Sequence, residues 1–248
     1  SYSVTGVQTC ALPILKNNEK RQGVIAGVSL IVMAILAGFS FGYAHSSLVV
    51  ESPELTLKNL FENKSLFLAE ISGWSLIFVA DLLVAISLYF FFRNTSKQVS
   101  LITALIRIAY TLLLGVAIVQ LFKIIPVLNS ENAVSDALLI AKTSEHLQLF
   151  EKIWSVGLIV FGLHLIGLGY LSVKSASVHA LIGYLLYFGG FSYTLLHSAR
   201  QLNLSDPGVL NSVEGVLALP IALADMLLAI WWIANGCVRK SVKSTSGV

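Results

Sequence analysis

Charged residues are scarce in this sequence: only 12% of its 248 residues carry a charge, against about a quarter in ordinary soluble domains. Disordered chains combine low hydrophobicity with high charge, so a hydrophobic content of 56% excludes that class. The formal charge of +3 is too small to indicate a nucleic-acid partner. The mean hydropathy of +0.82 instead indicates a polytopic membrane protein, whose first partner is the lipid bilayer.

Cysteine is also scarce, since the chain has only Cys10 and Cys237. They form no CxxC or Cys/His spacing typical of a zinc site, and the sequence has no GxSxG, HExxH or P-loop motif. A haem would need two histidines at one depth, which His164 and His197 do not provide. The sequence therefore predicts no metal and no cofactor, and an enzyme is the least favoured function.

Residues 4–14, VTGVQTCALPI, resemble the translation of a common short-read sequencing adapter. A cleaved signal peptide is the alternative, but it would need a basic start and a longer apolar core than residues 1–14 contain. We therefore expect a non-native tail over residues 1–14, with the native start near Leu15 or Lys16. The remaining division is a six-helix transmembrane domain over residues 15–238 and a basic cytoplasmic tail over 239–248.

Six stretches are long and apolar enough to be membrane-spanning helices, which need about 20 residues. They cover residues 23–43, 71–92, 99–125, 153–173, 178–198 and 213–238. None shows the strict alternation of a spanning strand. The sequence therefore predicts an all-α, polytopic bundle of six spanning helices.

The two long loops on one side of this bundle have amphipathic patterns. In the first, Ser52 before Pro53 indicates a helix start. In the second, apolar residues recur at helical spacing from Val134 to Phe150. We expect amphipathic helices that cap this face, either as ordered outer loops or as a lid over a ligand.

Basic residues are unevenly divided between the two sides. With the N-terminus inside, the cytoplasmic segments hold nine bases and one acid, and the outer segments hold six bases and ten acids. Cytoplasmic loops keep an excess of lysine and arginine. The sequence therefore predicts a multi-pass membrane protein with both termini in the cytoplasm.

Glycines with small-residue spacing indicate close helix packing. Gly23 and Gly27 form one such pair, Gly38 and Gly42 another, and further glycines line the fourth predicted helix. We expect these contacts to be made within the chain rather than at a dimer face. The oligomeric state is not predicted.

Four titratable residues lie deep in the predicted helices: Asp81, Arg107, His164 and Asp225. At about 1.5 Å per residue, each lies about 15–21 Å from the nearest cytoplasmic base, so they share one mid-membrane layer. Charged groups at this depth are costly and are often functional. The sequence predicts an intramembrane polar cluster that either locks helix packing or binds a small molecule or a proton.

Within this cluster we expect Arg107 to pair with Asp81, because a short turn joins their helices and their depths match. Asp225 then has three options: to share Arg107, to bond to His164, or to be held protonated. His164 is the natural proton acceptor of the group, while His197 is expected to be interfacial. The tryptophans, including Trp74 and Trp232, are expected to anchor the helices at the membrane interfaces.

Several motifs together resemble a bacterial membrane-protein family called domain of unknown function 4386. They are FVADLLVAISLYF around Asp81, ALIRIAY around Arg107, IVFGLHLIGLGYL around His164 and ALPIALADMLLAIWWIANG around Asp225. The resemblance runs from about Lys20 to Gly236. It implies a six-helix integral membrane protein of bacteria, located in the inner (plasma) membrane, but no activity. Two hypotheses follow: a small-molecule or proton-coupled carrier or sensor, and an accessory subunit whose charged layer only fixes packing.

Overall fold

The computed structural model describes residues 17–130 and 136–237, and all regular structure in these ranges is helical. The predicted all-α class is therefore confirmed. The predicted tails at residues 1–14 and 239–248 lie outside the described residues.

The described chain is ordered as a series of antiparallel helices. A π-helical segment, Gly38–His45, links α1 to α2, and a short 3₁₀ turn follows α5. The α-helices are α1 (Asn17–Ala37), α2 (Ser46–Leu48), α3 (Pro53–Glu62), α4 (Lys64–Phe92), α5 (Lys97–Phe122), α6 (Ala137–Lys174), α7 (Ala180–Gln201) and α8 (Pro207–Cys237).

Four segments of the described chain are long and apolar enough to cross a membrane. They are Asn18–Leu48, Lys64–Phe92, Lys97–Asn129 and Ala137–Lys174. Helices α7 and α8 cover the fifth and sixth predicted stretches. Length and composition thus support four of the six predicted spans.

The second outer loop was expected to form an amphipathic helix of its own, but it does not do so. Its described part is instead continuous with the fourth span in the 38-residue helix α6. Asp136 begins this helix by accepting hydrogen bonds from the backbone N–H groups of Leu138 and Leu139, and no proline interrupts it. Leu147 and Phe150 consequently face the interior, where both are buried.

The first outer loop does form a separate helix, α3, which begins as predicted. The Ser52 hydroxyl accepts a hydrogen bond from the Leu55 backbone N–H at 3.2 Å, and Pro53 occupies the first turn. Leu57 and Leu60 are fully buried against the bundle, while Leu55 and Phe61 are exposed. Helix α3 thus covers one end of the bundle with one face only.

Glycines bring α6 and α7 into close contact. A Cβ atom at Gly190 would meet the Gly162 carbonyl oxygen at 2.6 Å, and one at Gly183 would meet the Gly169 carbonyl oxygen at 2.9 Å. The expectation for Gly38 and Gly42 was wrong, because a Cβ at either would have no neighbour within 4 Å among the described residues.

Two apolar cores lie at opposite ends of the bundle. The first, here called the His45 end, surrounds Trp74, Phe150 and Leu121. The second, the Trp232 end, surrounds Leu88, Phe92 and Trp232.

The expectation that all four tryptophans lie at the membrane interfaces was wrong for Trp74 and Trp232, which are both 2% exposed. Trp74 packs its ring on Phe150 and Trp154. Trp232 packs on Phe91 and Phe92. Both side chains therefore contribute to the interior.

Candidate functional site

The ion pair expected between Asp81 and Arg107 is present between α4 and α5. Arg107 donates from Nε to Asp81 Oδ1 at 2.9 Å and from Nη2 to the same oxygen at 2.5 Å. Both side chains are buried, with 0% and 1% exposure. A buried charge whose partner is removed is strongly destabilising, so each group stabilises the other.

His164 of α6 completes this contact, but as an acceptor from Arg107. Its Nδ1 lies 2.9 Å from the Thr103 carbonyl oxygen, and a carbonyl only accepts, so Nδ1 carries the proton. Nε2 is then free to accept from Arg107 Nη1 at 3.1 Å. With both ring nitrogens engaged, His164 is not available as the proton acceptor that its place in the polar layer predicts.

Asp225 of α8 stands apart from these three residues. It makes no hydrogen bond or ion pair with any described residue, so neither the shared Arg107 nor the His164 bond is formed. Its side chain is half-buried. Since Asp81 neutralises Arg107, the layer retains one carboxylate without a compensating base.

Asp225 and Arg107 both line a cavity of about 250 Å³ in the bundle. Six aromatic side chains share its wall: Phe41, Trp74, Tyr110, Trp154, Phe161 and Tyr193. Binding sites for small molecules are mostly apolar with a few polar groups and usually exceed about 300 Å³. The cavity therefore has the composition of a ligand site and room for only a small ligand.

A second polar cluster, at the His45 end, was missed by sequence reasoning. His45 Nδ1 lies 2.7 Å from Glu70 Oε1, and Nε2 lies 3.5 Å from Glu151 Oε1. Glu70 is fully buried, and its Oε2 has no hydrogen-bond partner among the described residues. Phe41 and Phe150 pack on the His45 ring. This cluster joins the π-helical segment to α4 and α6.

A signal for this cluster was available in the sequence. Glu70 immediately precedes the predicted second span, and His45 follows the first span by two residues. The hydropathy pattern placed both in loops, whereas α4 begins six residues earlier, at Lys64. Ionisable residues bordering apolar stretches deserve the same scrutiny as those inside them.

A third group of polar residues surrounds His197 of α7. Its Nδ1 lies 3.0 Å from Ser155 Oγ, and its Nε2 lies 3.9 Å from Glu214 Oε1. Arg200 donates to Glu214 Oε2 at 2.6 Å. His197 is 1% exposed and its Nε2 has no hydrogen-bond partner among the described residues. It is thus a buried residue rather than the interfacial one expected.

These residues line a cavity of about 480 Å³, here called the vestibule. Glu151, Ser155, His197, Arg200 and Glu214 supply its polar groups. Ser155, His197 and Glu214 do not form a nucleophile–base–carboxylate relay, because the Glu214 contact exceeds hydrogen-bond distance.

The vestibule and the smaller cavity share three wall residues: Phe41, Trp154 and Leu158. The Phe41 and Trp154 rings meet edge to face with their centroids 4.7 Å apart. The two cavities are therefore neighbours with an aromatic partition between them.

Comparison with known proteins identifies the family of this chain. The family model "Domain of unknown function (DUF4386)" matches residues 25–236. The chain belongs to this family. The match includes Asp81, Arg107, His164 and Asp225.

A relative that this chain matches over most of its length occurs in an archaeon. An uncharacterized protein of Archaeoglobus fulgidus is 28% identical over 176 residues, which cover 71% of this chain and 88% of the relative. No solved structure matches. The comparisons therefore establish the family of this chain but assign it no activity.

Proposed function

We propose that this protein is a carrier that binds a small molecule or a proton in the cavity beside Arg107 and Asp225. The protein is an integral protein of the bacterial inner (plasma) membrane, with six spanning helices and both termini in the cytoplasm. It uses no metal and no cofactor. The observation that carries the proposal is the position of Asp225: its carboxylate has no hydrogen-bonding partner among the described residues and lines a cavity in the bundle.

The packing-only hypothesis accounts for part of the layer but not for Asp225. Asp81, Arg107 and His164 bond to one another and join α4, α5 and α6, as expected of residues that fix helix register, and only Asp81 Oδ2 of this group has no hydrogen-bond partner among the described residues. A purely structural Asp225 would have taken a donor from a neighbouring helix. We therefore assign a structural role to the first three residues and the ligand-binding role to Asp225.

The neighbouring cavities support access from the His45 end. Phe41, Trp154 and Leu158 are common to both walls. At the Trp232 end, leucine, phenylalanine and tryptophan side chains form a core, and the cavity of about 380 Å³ beside Phe91 shares no described wall residue with the smaller cavity. A carrier alternates access between two faces, and this arrangement corresponds to the state that faces the His45 end.

Uptake into proteoliposomes tests the proposal. A mixture of small cationic, neutral and anionic solutes is offered to vesicles, with an imposed proton gradient in a parallel series, and the contents are compared with protein-free vesicles. We expect uptake of a solute, or proton flux, that is abolished in Ala37→Leu, which narrows the cavity, and in Asp225→Asn. The control Glu62→Gln changes an exposed carboxylate of α3 and should transport normally.

Three outcomes are distinguishable in this experiment. Transport that depends on Ala37 and Asp225 supports a carrier. Ligand binding at the cavity without transport would replace the carrier by a sensor. Folded protein that neither binds nor transports any solute or proton would leave the accessory subunit as the correct function.

The orientation has its own test. Reporter domains that are active only outside the cytoplasm should be silent when fused at Val248 and active when inserted near Asn129. The physical reason is the excess of bases in the segments assigned to the cytoplasm. The reverse pattern, or activity at both positions, would contradict the topology.

A further inference from the structure

We propose that the ligand of this cavity is a small organic cation, a quaternary or protonated amine, which enters from the vestibule past Phe41 and Trp154 and binds between Asp225 and the aromatic wall. This inference rests on the proposed function and names its substrate class. Three features support it: the charge of Asp225, the aromatic wall of the smaller cavity, and the carboxylates of the vestibule that lies beside that cavity.

Charge is the first argument. Among the described residues that line the smaller cavity, Arg107 is the only base, and Asp81 neutralises it through two hydrogen bonds. Asp225 therefore leaves the site with one uncompensated negative charge. A monovalent cation restores neutrality in a low-dielectric region, whereas an anion would add to the imbalance.

The wall of the smaller cavity is mostly aromatic and apolar, which also favours an organic cation. Six of its fifteen residues are aromatic, and the rest are apolar apart from Arg107 and Asp225. Aromatic faces attract organic cations, and quaternary ammonium groups are bound in cages of this composition. The Arg107 guanidinium already lies 5.5 Å from the Phe161 ring centroid, so this wall accommodates a positive group. A bare inorganic cation would instead require several oxygen ligands.

The vestibule is the third argument. It holds two carboxylates, of Glu151 and Glu214, and one base, Arg200, which is paired with Glu214. His45 contacts Glu151 but is shared with the buried Glu70, so carboxylates still outnumber bases around this cavity. His197 turns a buried, unpartnered Nε2 toward this polar group. A cleft with an excess of one charge concentrates ligands of the opposite charge. The order of charges thus leads a cation from Glu151 and Glu214 toward Asp225.

Size limits the ligand. A cavity of about 250 Å³ is below the usual range for drug-sized molecules, so we expect monoamines and small quaternary ammonium ions rather than polyamines or bulky lipophilic cations. The aromatic partition of Phe41 and Trp154 has to move aside for entry. Phe41 belongs to the π-helical segment, and such local distortions of helices are frequent at functional sites.

The test compares ligands that differ in charge but not in shape. Choline and its neutral isostere 3,3-dimethylbutan-1-ol are titrated into the full-length protein in nanodiscs, together with tetramethylammonium and phenethylammonium. Tryptophan fluorescence reports binding, because Trp74 and Trp154 lie in the cavity wall. We expect at least one cation to bind at least about tenfold more tightly than the neutral isostere, a difference that Asp225→Asn removes.

Matched variants distinguish a loss of cation binding from a loss of folding. Trp154→Leu should weaken cation binding about fivefold through loss of the cation–π contact. Glu151→Gln should slow association at low salt and have little effect at high salt. Glu62→Gln should change neither quantity. Thermal unfolding of each variant identifies any that fails to fold, and Asp225→Glu, which keeps the charge, provides a second measurement for Asp225.

The outcomes distinguish this inference from the function on which it rests. Binding or transport of neutral or anionic solutes that is sensitive to Ala37→Leu, with no preference for cations, would overturn the cation proposal and leave the carrier intact. Proton flux without cation binding would have the same meaning. Absence of all ligand binding and flux in folded protein would overturn both proposals.

Discussion

The His45 end and the Trp232 end of the bundle are built differently although both consist of long apolar helices. At the His45 end, buried polar groups such as His45 and Glu70 lie among aromatic rings, and two cavities open between the helices. At the Trp232 end, leucines and phenylalanines surround Trp232, and the cavity found there, of about 380 Å³, lies at the edge of this core beside Phe91, among residues 94–95 and 174–177. In a bilayer, packing rather than hydrophobic burial stabilises the helix contacts. The comparison thus indicates that one end provides rigidity and the other provides binding space.

The largest effect is expected at the boundary between the two ends, where Arg107 neutralises Asp81. Arg107→Leu strands a buried carboxylate and should lower the free energy of unfolding by about 3–5 kcal/mol, as for buried pairs in soluble proteins. The double variant with Asp81→Leu removes that stranded charge and should recover much of the loss. Reversible unfolding in mixed micelles measures both.

A double-variant loss equal to the sum of the two single losses would contradict this pairing. Recovery of stability without recovery of transport would show that the pair also acts in function. Glu62→Gln, at an exposed position, serves as the control for a change of net charge.

The next effect contrasts two phenylalanines from the two ends. Phe92 is fully buried at the Trp232 end, whereas Phe41 is 39% exposed and borders both cavities. Phe92→Ala should cost about 3–5 kcal/mol of unfolding free energy because it leaves a void. Phe41→Ala enlarges a space that already exists and should cost much less. An equal loss of unfolding free energy in Phe92→Ala and Phe41→Ala would contradict the distinction between a tightly packed Trp232 end and a loosely packed His45 end.

A smaller effect is expected from glycines. A Cβ atom at Gly183 would lie 2.6 Å from Val173 Cγ2 and 2.9 Å from the Gly169 carbonyl oxygen. Gly183→Ala should therefore separate α6 from α7 and cost about 1–3 kcal/mol. Gly42→Ala is the matched control, because a Cβ there has no neighbour within 4 Å among the described residues. A loss at Gly42 as large as at Gly183 would contradict the assignment.

The smallest effect concerns the surface of the His45 end. Ser52→Ala removes the N-cap of α3 and should cost about 1 kcal/mol. In the folded protein, hydrogen bonds from the Glu54 backbone N–H and the Ser52 hydroxyl lower the pKa of the Glu54 side chain below its ordinary value. A lowered pKa stabilises the fold at neutral pH, and that contribution is lost as pH falls through the folded-state value.

In Ser52→Ala the pKa of Glu54 should therefore rise toward its ordinary value, which an NMR titration of the carboxyl carbon detects. Removal of the Thr56 hydroxyl, on the buried face of the same helix, should leave the pKa of Glu54 unchanged, because that hydroxyl bonds to Val50 and not to Glu54. An unchanged Glu54 pKa in Ser52→Ala would show that the cap contact is absent in solution.

The sequence by itself determined the class of protein, the positions of the main helices and the residues of the deep layer. These follow from local physical properties: apolar length matches the bilayer, proline and serine mark the start of α3, and ionisable groups within apolar stretches are conspicuous. The pairing of Asp81 with Arg107 was also predictable, since a short turn fixes α4 beside α5.

Only the tertiary structure decided which partner each remaining group has. His45 lies 25 residues from Glu70 and 106 from Glu151, so no local pattern relates them, and their contact depends on how three helices pack. The same holds for His164, which accepts from Arg107 instead of serving Asp225. Cavities arise from gaps between helices and leave no trace in hydropathy. That Asp225 lines such a space with no hydrogen-bond partner in the described part of the chain is therefore a property of the fold alone.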